Sequence, residues 1–257
     1  AQYNNEFKNI FLKTISKMEN ASSNVKRSSS IISGGFDSSI IGACLLNNDI
    51  KTDIYTMTFS DKDPVSKNVK NILNKNYKYN DINHKIIECT LDAYHDSLCR
   101  SIDILSSPVN THSIPSSYLV ASQAQQDGNI ILYGGEGADE IFLGYDCYGK
   151  SDIDSSIYNS LNNNYSFDKD LHKRVATSKT EKYIQEFKSN IHDYLSTYDI
   201  LDKKEINIKT ESFVDIFIQL SSVGLLSTDT VNSDLGIECR TPFVRRELLQ
   251  FGISSPV

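Results

Sequence analysis

The sequence predicts an α/β protein in which a parallel, twisted sheet is flanked by helices and followed by an α-rich C-terminal lobe. Between Ser28 and Tyr145, short β-rich runs alternate with helical patterns, which is typical of a parallel layer. Two of these runs end in glycine pairs, as strands do when they turn into a helix at a ligand crevice. Beyond residue 178 the remaining periodicity is helical.

The first half of the chain is predicted to hold one amphipathic helix and then alternating strands and helices. The opening helix, at about residues 4–18, has Phe7, Ile10, Phe11 and Ile15 on one face. The predicted strands are residues 29–33, 53–59, 84–89 and 129–133. The helices between them are residues 38–47, 65–76, 91–105 and 116–126, and Gly128 supplies a C-terminal glycine for the last one.

Three segments follow from this pattern. Residues 1–148 form the predicted α/β domain. Residues 149–178 are rich in Asn, Ser and Asp, and we interpret them as a surface excursion or a link. Residues 179–257 form a helical lobe that packs on the same domain, with predicted helices at 181–194 and 211–226.

Composition excludes several classes of function. Of the 257 residues, 26 are Lys or Arg and 33 are Asp or Glu, so the net charge of -7 argues against a nucleic-acid partner. The longest apolar run, residues 40–46, is far short of the ~20 residues of a membrane span. No signal peptide is visible, and five scattered cysteines indicate free thiols in a reducing compartment. We expect a cytoplasmic protein with no membrane partner.

The first motif is Ser-Gly-Gly-Phe-Asp-Ser-Ser at residues 33–39, directly after an apolar run. Its glycines can adopt positive φ, so that backbone amides converge on an anion, and the following helix adds its positive end. Asp37 adds an oxygen ligand suited to Mg²⁺. No Walker lysine is present. The alternative interpretation is a serine-rich helix N-cap.

The second motif is Gly-Gly-Glu-Gly-Ala-Asp-Glu at residues 134–140, again between an apolar run and a helix start. Three acidic residues within five positions are costly to cluster unless cations or protons compensate them. An acidic first helical turn is the alternative interpretation. Because the carboxyl ends of parallel strands share one edge, we expect Asp37 and Asp139 to face one Mg²⁺–polyphosphate.

The first motif resembles the pyrophosphate-loop signature Ser-Gly-Gly-x-Asp-Ser-Ser of ATP pyrophosphatases. The second resembles a segment of the synthetase domain of the asparagine synthetase family. Two further stretches agree with that family, Ser-Ile-Pro-Ser-Ser-Tyr-Leu-Val at 113–120 and Gly-Ile-Glu-Cys-Arg-Thr-Pro-Phe at 236–243. The resemblance covers roughly residues 28–251 and implies an adenine nucleotide alpha hydrolase-like fold.

The resemblance also implies roles for individual residues. Glu136 is the catalytic residue, a base towards the incoming amine, and Asp37 and Asp139 are the Mg²⁺ ligands. The expected ATP-binding residues are Ile31, Ser33, Gly34, Gly35, Asp37, Ser38, Ser39, Met57 and Gly135.

The implied activity is that of an asparagine synthetase-like carbon–nitrogen ligase that uses ATP and Mg²⁺. It adenylates a carboxylate, releases pyrophosphate, and transfers ammonia or an amine to the acyl group. The expected partners are a small-molecule or sugar carboxylate and a nitrogen donor, with a separate glutaminase as one source, and a homodimer is one expected assembly. The alternatives are a tRNA-modifying adenylase of the pyrophosphate-loop group and a non-catalytic nucleotide-binding subunit.

Several positions depart from the family pattern. Gly134 stands where the family has Ser, Thr230 where it has Arg, and Arg245-Arg246-Glu247 where it has Asp-His-Arg. His112 stands near a position where asparagine-forming members carry an Arg, so aspartate is not the expected substrate. We interpret His112 as a loop histidine, with a substrate ligand as the alternative. No residue matches the family's catalytic Lys, which lies in a later segment of the family's sequences, so we expect either a chain truncated at its C-terminus or one that has lost activity. The N-terminal glutaminase domain of glutamine-using members is not visible either.

Overall fold

A computed structural model describes residues 2–21, 28–47, 50–60, 63–76, 82–109, 111–146, 148, 178–198 and 201–256. The chain divides into two compact units. The first comprises Ala1–Glu136 and Ser222–Leu249, and the second comprises Gly137–Ser221 and Gln250–Val257. The predicted polar link at 149–178 lies outside the described residues except at its last position.

Helices and strands alternate through the first half of the chain, and helices dominate the second half. In chain order the elements are α1 (Gln2–Asn20), β1 (Ser28–Ile31), α2 (Phe36–Asn47), β2 (Thr52–Thr58), α3 (Pro64–Asn76), β3 (Asn83–Glu88), α4 (Leu91–Leu105), α5 (Ser113–Gln126), β4 (Ile131–Tyr133), α6 (Ala138–Phe142), α7 (Ser178–Leu195), α8 (Lys203–Val214), a π-helical segment (Asp215–Leu225), α9 (Leu226–Asp234), β5 (Glu238–Arg240), a 3₁₀ turn (Pro242–Val244) and α10 (Arg246–Ser254).

The first unit is built on a five-stranded sheet in the order β3-β2-β1-β4-β5, with every pair parallel. This confirms the predicted parallel α/β architecture, and each of the four predicted strands overlaps an observed one. The strand β5 is not among the predicted strands. β4 is equally short but apolar, whereas β5 is Glu-Cys-Arg, and its segment attracts notice in the sequence only through its resemblance to a family motif.

Both faces of the sheet are covered by helices. Along β2 only Met57 is not fully buried, as expected for a strand enclosed on both sides. One face packs on α5 through Tyr55, Val120, Ala121, Ala124, Leu132 and Ile237. The other packs on α3 through Ile32, Ile54, Val69 and Leu73. The two cores fix the strands, so the turns at their carboxyl ends begin from defined positions.

The second unit holds α6, α7, α8 and most of the π-helical segment. For the helix predicted at residues 211–226, the predicted start is wrong, because α8 already begins at Lys203. The start is set by a capping box. Asp202 accepts from the Glu205 backbone N–H at 2.8 Å, and the Glu205 side chain accepts from the Asp202 N–H at 3.1 Å. Among the described helices, none is both long and apolar enough to cross a membrane.

Candidate active site

The order of the strands places a topological switch point between β1 and β4. From β1 the chain passes through α2 to β2 on one side, whereas β4 pairs with β1 on the other side. In open parallel sheets the ligand crevice lies outside the carboxyl ends of the strands at such a point. The two glycine turns found in the sequence follow β1 and β4, so both lie at this crevice.

The turn after β1 is held by its own serines. The Ser33 backbone N–H donates to Ser38 Oγ at 3.1 Å, and the Ser33 and Ser38 hydroxyls lie 3.0 Å apart. Ser39 Oγ donates to the Gly35 carbonyl at 2.6 Å. Gly34 has φ +86°, a left-handed conformation that a side chain would strain. These contacts join the end of the strand to the first turn of α2 and pre-organise an exposed backbone loop.

The turn after β4 is arranged around Glu136. The Gly134 N–H donates to the Arg240 carbonyl at 2.9 Å, which ties the turn to β5. The Glu136 carboxylate folds back over residue 134, so that a Cβ atom there would overlap it. Glycine at position 134, a departure from the family pattern, is therefore what allows this position of Glu136.

Glu136 also lies close to Cys239, the middle residue of β5. Burial, and after it the negative charge of Glu136, raises the pKa of the Cys239 thiol, and the neighbouring Asn232 side chain offsets this only in part. The thiol is therefore protonated at neutral pH and is not a nucleophile. Sequence reasoning did not place Cys239 beside the second motif, because only the pairing of β5 with β4 brings the two together.

The structure brings most of the expected ATP-binding residues together. Ser33, Gly34, Gly35, Asp37, Ser38 and Ser39 share the first turn, and Gly135 approaches Asp37 and Ser38. Ile31 and Met57 lie at or near the carboxyl ends of β1 and β2. They are half-buried and pack against the core cluster beneath α5. They can offer a small apolar surface and backbone groups, as expected for contact with a nucleoside.

Asp139 belongs to the second unit, where it lies on the short helix α6. Partial burial raises the pKa of its carboxyl group. That carboxylate fills the space that a Cβ atom at residue 144 would need, and the Gly144 N–H donates to the Asp139 carbonyl at 2.9 Å. A nearby cation would favour the ionised form that burial disfavours.

Glu140, the last acidic residue of the second motif, has a different role. It is buried in the second unit, where Tyr145 donates to its Oε1 at 2.9 Å and Ser212 donates to its carbonyl at 2.7 Å. Asp215 and Tyr148 lie in the same unit, joined by a hydrogen bond of 2.8 Å. The acidic cluster seen in the sequence is thus divided between a buried structural carboxylate and residues at the turn.

The donor set decides whether Mg²⁺ fits these residues. Within the described ranges, no group of three or more His, Cys, Asp or Glu residues is placed to hold a metal ion. Asp37 lies in the first unit and Asp139 in the second, and each supplies one carboxylate. Because Mg²⁺ is commonly held by one or two carboxylates together with substrate phosphates and water, either carboxylate is a suitable donor for an ion that enters with ATP.

The parallel sheet, with its two glycine turns at one edge, has the arrangement of the pyrophosphate-loop class of proteins. The asparagine synthase family model matches residues 22–257, and the chain belongs to this family of ATP-dependent, amide-forming enzymes. A search of curated protein sequences gave no match.

Solved structures with some similarity include two synthetases. The NH3-dependent NAD synthetase from Campylobacter jejuni is 14% identical, with 86% of this chain and 94% of that chain covered and a TM-score of 0.40. The NMN synthetase from Francisella tularensis is 16% identical, with 89% of this chain and 93% of that chain covered and a TM-score of 0.38.

Proposed function

We propose that the chain activates a carboxylate as an acyl-adenylate and transfers ammonia or an amine to it. A carboxylate oxygen attacks the α-phosphorus of ATP, and pyrophosphate leaves. The nitrogen nucleophile then attacks the acyl carbon, AMP leaves with the bonding electrons, and the nucleophile loses a proton. The observation that carries this proposal is the contact between the two glycine turns at the switch point, where Gly135 lies against Asp37 and Ser38.

The residues of the first turn suit the first step. The hydroxyls of Ser33, Ser38 and Ser39 and the backbone amides at the start of α2 are donors for the pyrophosphate oxygens. Mg²⁺, when bound, neutralises charge on the departing pyrophosphate, and we propose Asp37 and Asp139 as its ligands. The hydrogen bonds between Ser33 and Ser38 already hold the loop in this conformation, so its backbone amides need little reorganisation when the phosphates arrive. Ser39 exchanges its hydrogen bond to the Gly35 carbonyl for one to the phosphates.

Glu136 suits the second step as a general base. It follows β4 at the switch point, and its carboxylate is held back over Gly134 rather than extended into solvent. A carboxylate in this position can accept the proton that the amine loses on attack. Ammonia and a primary amine have the same requirement, so Glu136 serves either nitrogen donor.

The test is a product assay with ATP, Mg²⁺, ammonia and a panel of carboxylates, scored for AMP and pyrophosphate. Formation of ADP and phosphate instead would contradict the proposed mechanism.

The variant Asp139→Asn is expected to abolish turnover with little change in melting temperature. Asp146→Asn, at an exposed carboxylate of the same unit, is the matched control. ATP binding without pyrophosphate release for any carboxylate would favour a non-catalytic nucleotide-binding subunit.

A further inference from the structure

An open pocket of about 390 Å³ lies in the first unit at the carboxyl ends of β2 and β3. It therefore lies on the same edge of the sheet as the two glycine turns, on the side of β1 that is away from β4. This volume falls within the range of small-molecule sites. The residues that line it are Phe59, Cys89, Thr90, Leu91, Tyr94 and His112.

The pocket presents an apolar surface to its contents. Its lining contains no Asp, Glu, Lys or Arg. Burial raises the pKa of the Cys89 thiol, so it stays protonated. Two lining hydroxyls already have partners, since the Thr90 oxygen accepts from the Ala93 N–H at 3.2 Å and Tyr94 donates to the His112 carbonyl at 3.3 Å.

Exposed apolar side chains recur along this edge of the sheet. One large, exposed apolar side chain follows each of three neighbouring strands: Phe36 after β1 (77% exposed), Phe59 after β2 (62%) and Leu91 after β3 (84%). With adjacent strands ~4.8 Å apart, these positions span roughly 10 Å along the edge. A nucleobase, the one flat apolar part of ATP, is too short to cover all of them.

We infer that the carboxylic acid activated at this site carries an apolar or aromatic body that the Phe59–His112 pocket receives. The inference rests on the proposed function and names its substrate class. A second carboxylate, as in aspartate, would lose its hydration against this lining, in which His112 is the one side chain able to carry a positive charge, and that loss is costly. An aryl or alkyl body would instead bury its own surface and that of Phe59 and Leu91 together.

The experiment compares 3-phenylpropanoate, hexanoate and aspartate as substrates in the AMP assay. It uses the wild-type chain, Phe59→Ala, and Ile130→Ala as the matched control. Ile130 is an exposed apolar residue that precedes β4, at the opposite edge of the sheet. We expect the two apolar acids to be preferred over aspartate. We expect Phe59→Ala to raise the KM for 3-phenylpropanoate by roughly tenfold without changing the KM for ATP, and Ile130→Ala to change neither.

Two results would overturn the inference while leaving the proposed function intact. One is a wild-type preference for aspartate. The other is a rise in the KM for ATP, rather than for the acid, in Phe59→Ala, which would assign the pocket to the nucleobase. If no acid yields AMP, the proposed function fails. Binding of 3-phenylpropanoate to the pocket is then measured directly by saturation-transfer NMR. Binding that is lost in Phe59→Ala then supports the inference, and no binding to the wild type contradicts it.

Discussion

Gly135 lies directly against Asp37. A Cβ atom built on Gly135 would be 3.4 Å from the Cβ of Asp37 and 3.5 Å from the backbone nitrogen of Ser38. The turns that follow β1 and β4 are therefore in contact, and each limits the position of the other. The crevice at the switch point keeps its width only while residue 135 is very small.

Replacing Gly135 by Val should separate the two turns. An Ala side chain fits, because 3.4 Å is an ordinary van der Waals distance, but the branched methyl groups of Val extend beyond it towards Asp37 and Ser38. We expect Gly135→Val to raise the KM for ATP by about tenfold or more, and Gly135→Ala to have a much smaller effect. Steady-state kinetics with thermal melting measures both. A folded Gly135→Val variant with an unchanged KM for ATP would contradict the contact.

Restoring the family's serine at position 134 should impair this chain. The Glu136 carboxylate occupies the space of a Cβ at 134, so Gly134→Ser must displace it. We expect kcat to fall by up to about 100-fold, because a displacement of about 1 Å can misalign a catalytic group. The double variant Gly134→Ser/Glu136→Gln should be no worse than Glu136→Gln alone, since both changes act through the same carboxylate. Additive losses would show that Gly134 acts in another way.

Gly34 and Gly128 form a matched pair for testing the first turn. Both have positive φ, +86° and +80°, and neither would bring a new Cβ closer than van der Waals contact. An Ala at either position should cost about 1–2 kcal/mol of stability from backbone strain. Only Gly34→Ala should also weaken ATP binding, because Gly128 ends α5 at the opposite edge of the sheet. Equal effects on ATP affinity in the two variants would remove Gly34 from the nucleotide site.

The strands and first helices were predictable because their patterns are local. The helix α4 was predicted at its observed bounds, and β1 and β2 were shifted by no more than two residues at either end. The glycine pair after Ile32 marks the end of β1, whose own residues are Ser-Ser-Ser-Ile, and β2 is a β-rich run with Ile54, Tyr55 and Met57, so both can be located without knowing their neighbours. β5 is Glu-Cys-Arg, with two charged residues and no apolar run, and only its pairing with β4 identifies it as a strand.

The parts of the candidate site that depend on side-chain position were not predictable. The sequence grouped Glu136, Asp139 and Glu140 by their spacing, but Glu140 is buried in the second unit, where Ser212 of α8 donates to its backbone carbonyl. Arg240, part of a motif carried over from the family, is buried and donates to the Met18 carbonyl at 2.6 Å, which fixes α1 to β5. In both cases the role is set by a residue distant in sequence or by another element.

The buried pair of Asp215 and Tyr148 makes the stability of the second unit depend on pH. Burial chiefly raises the pKa of the Asp215 carboxyl to about 6, with smaller contributions from the charges of Glu140 and Glu211, against the hydrogen bond from Tyr148. The folded state therefore holds this proton more tightly than the unfolded state, whose carboxyl has the ordinary pKa of 3.8. The resulting stabilisation is fully present below pH 3.8 and is lost as the pH rises through about 6.

Asp215→Asn removes the ionisation and should leave a group that still accepts from Tyr148. At pH 8 we expect the variant to be more stable than the wild type, by about 2 kcal/mol or less, and the advantage should disappear as the pH falls towards 4. Chemical denaturation at several pH values measures the difference. Asp193→Asn, at a carboxylate of the same unit whose side chain is 76% exposed, should show no such trend. A gain in Asp215→Asn that is equal at pH 4 and pH 8 would mean that packing, rather than ionisation, is responsible.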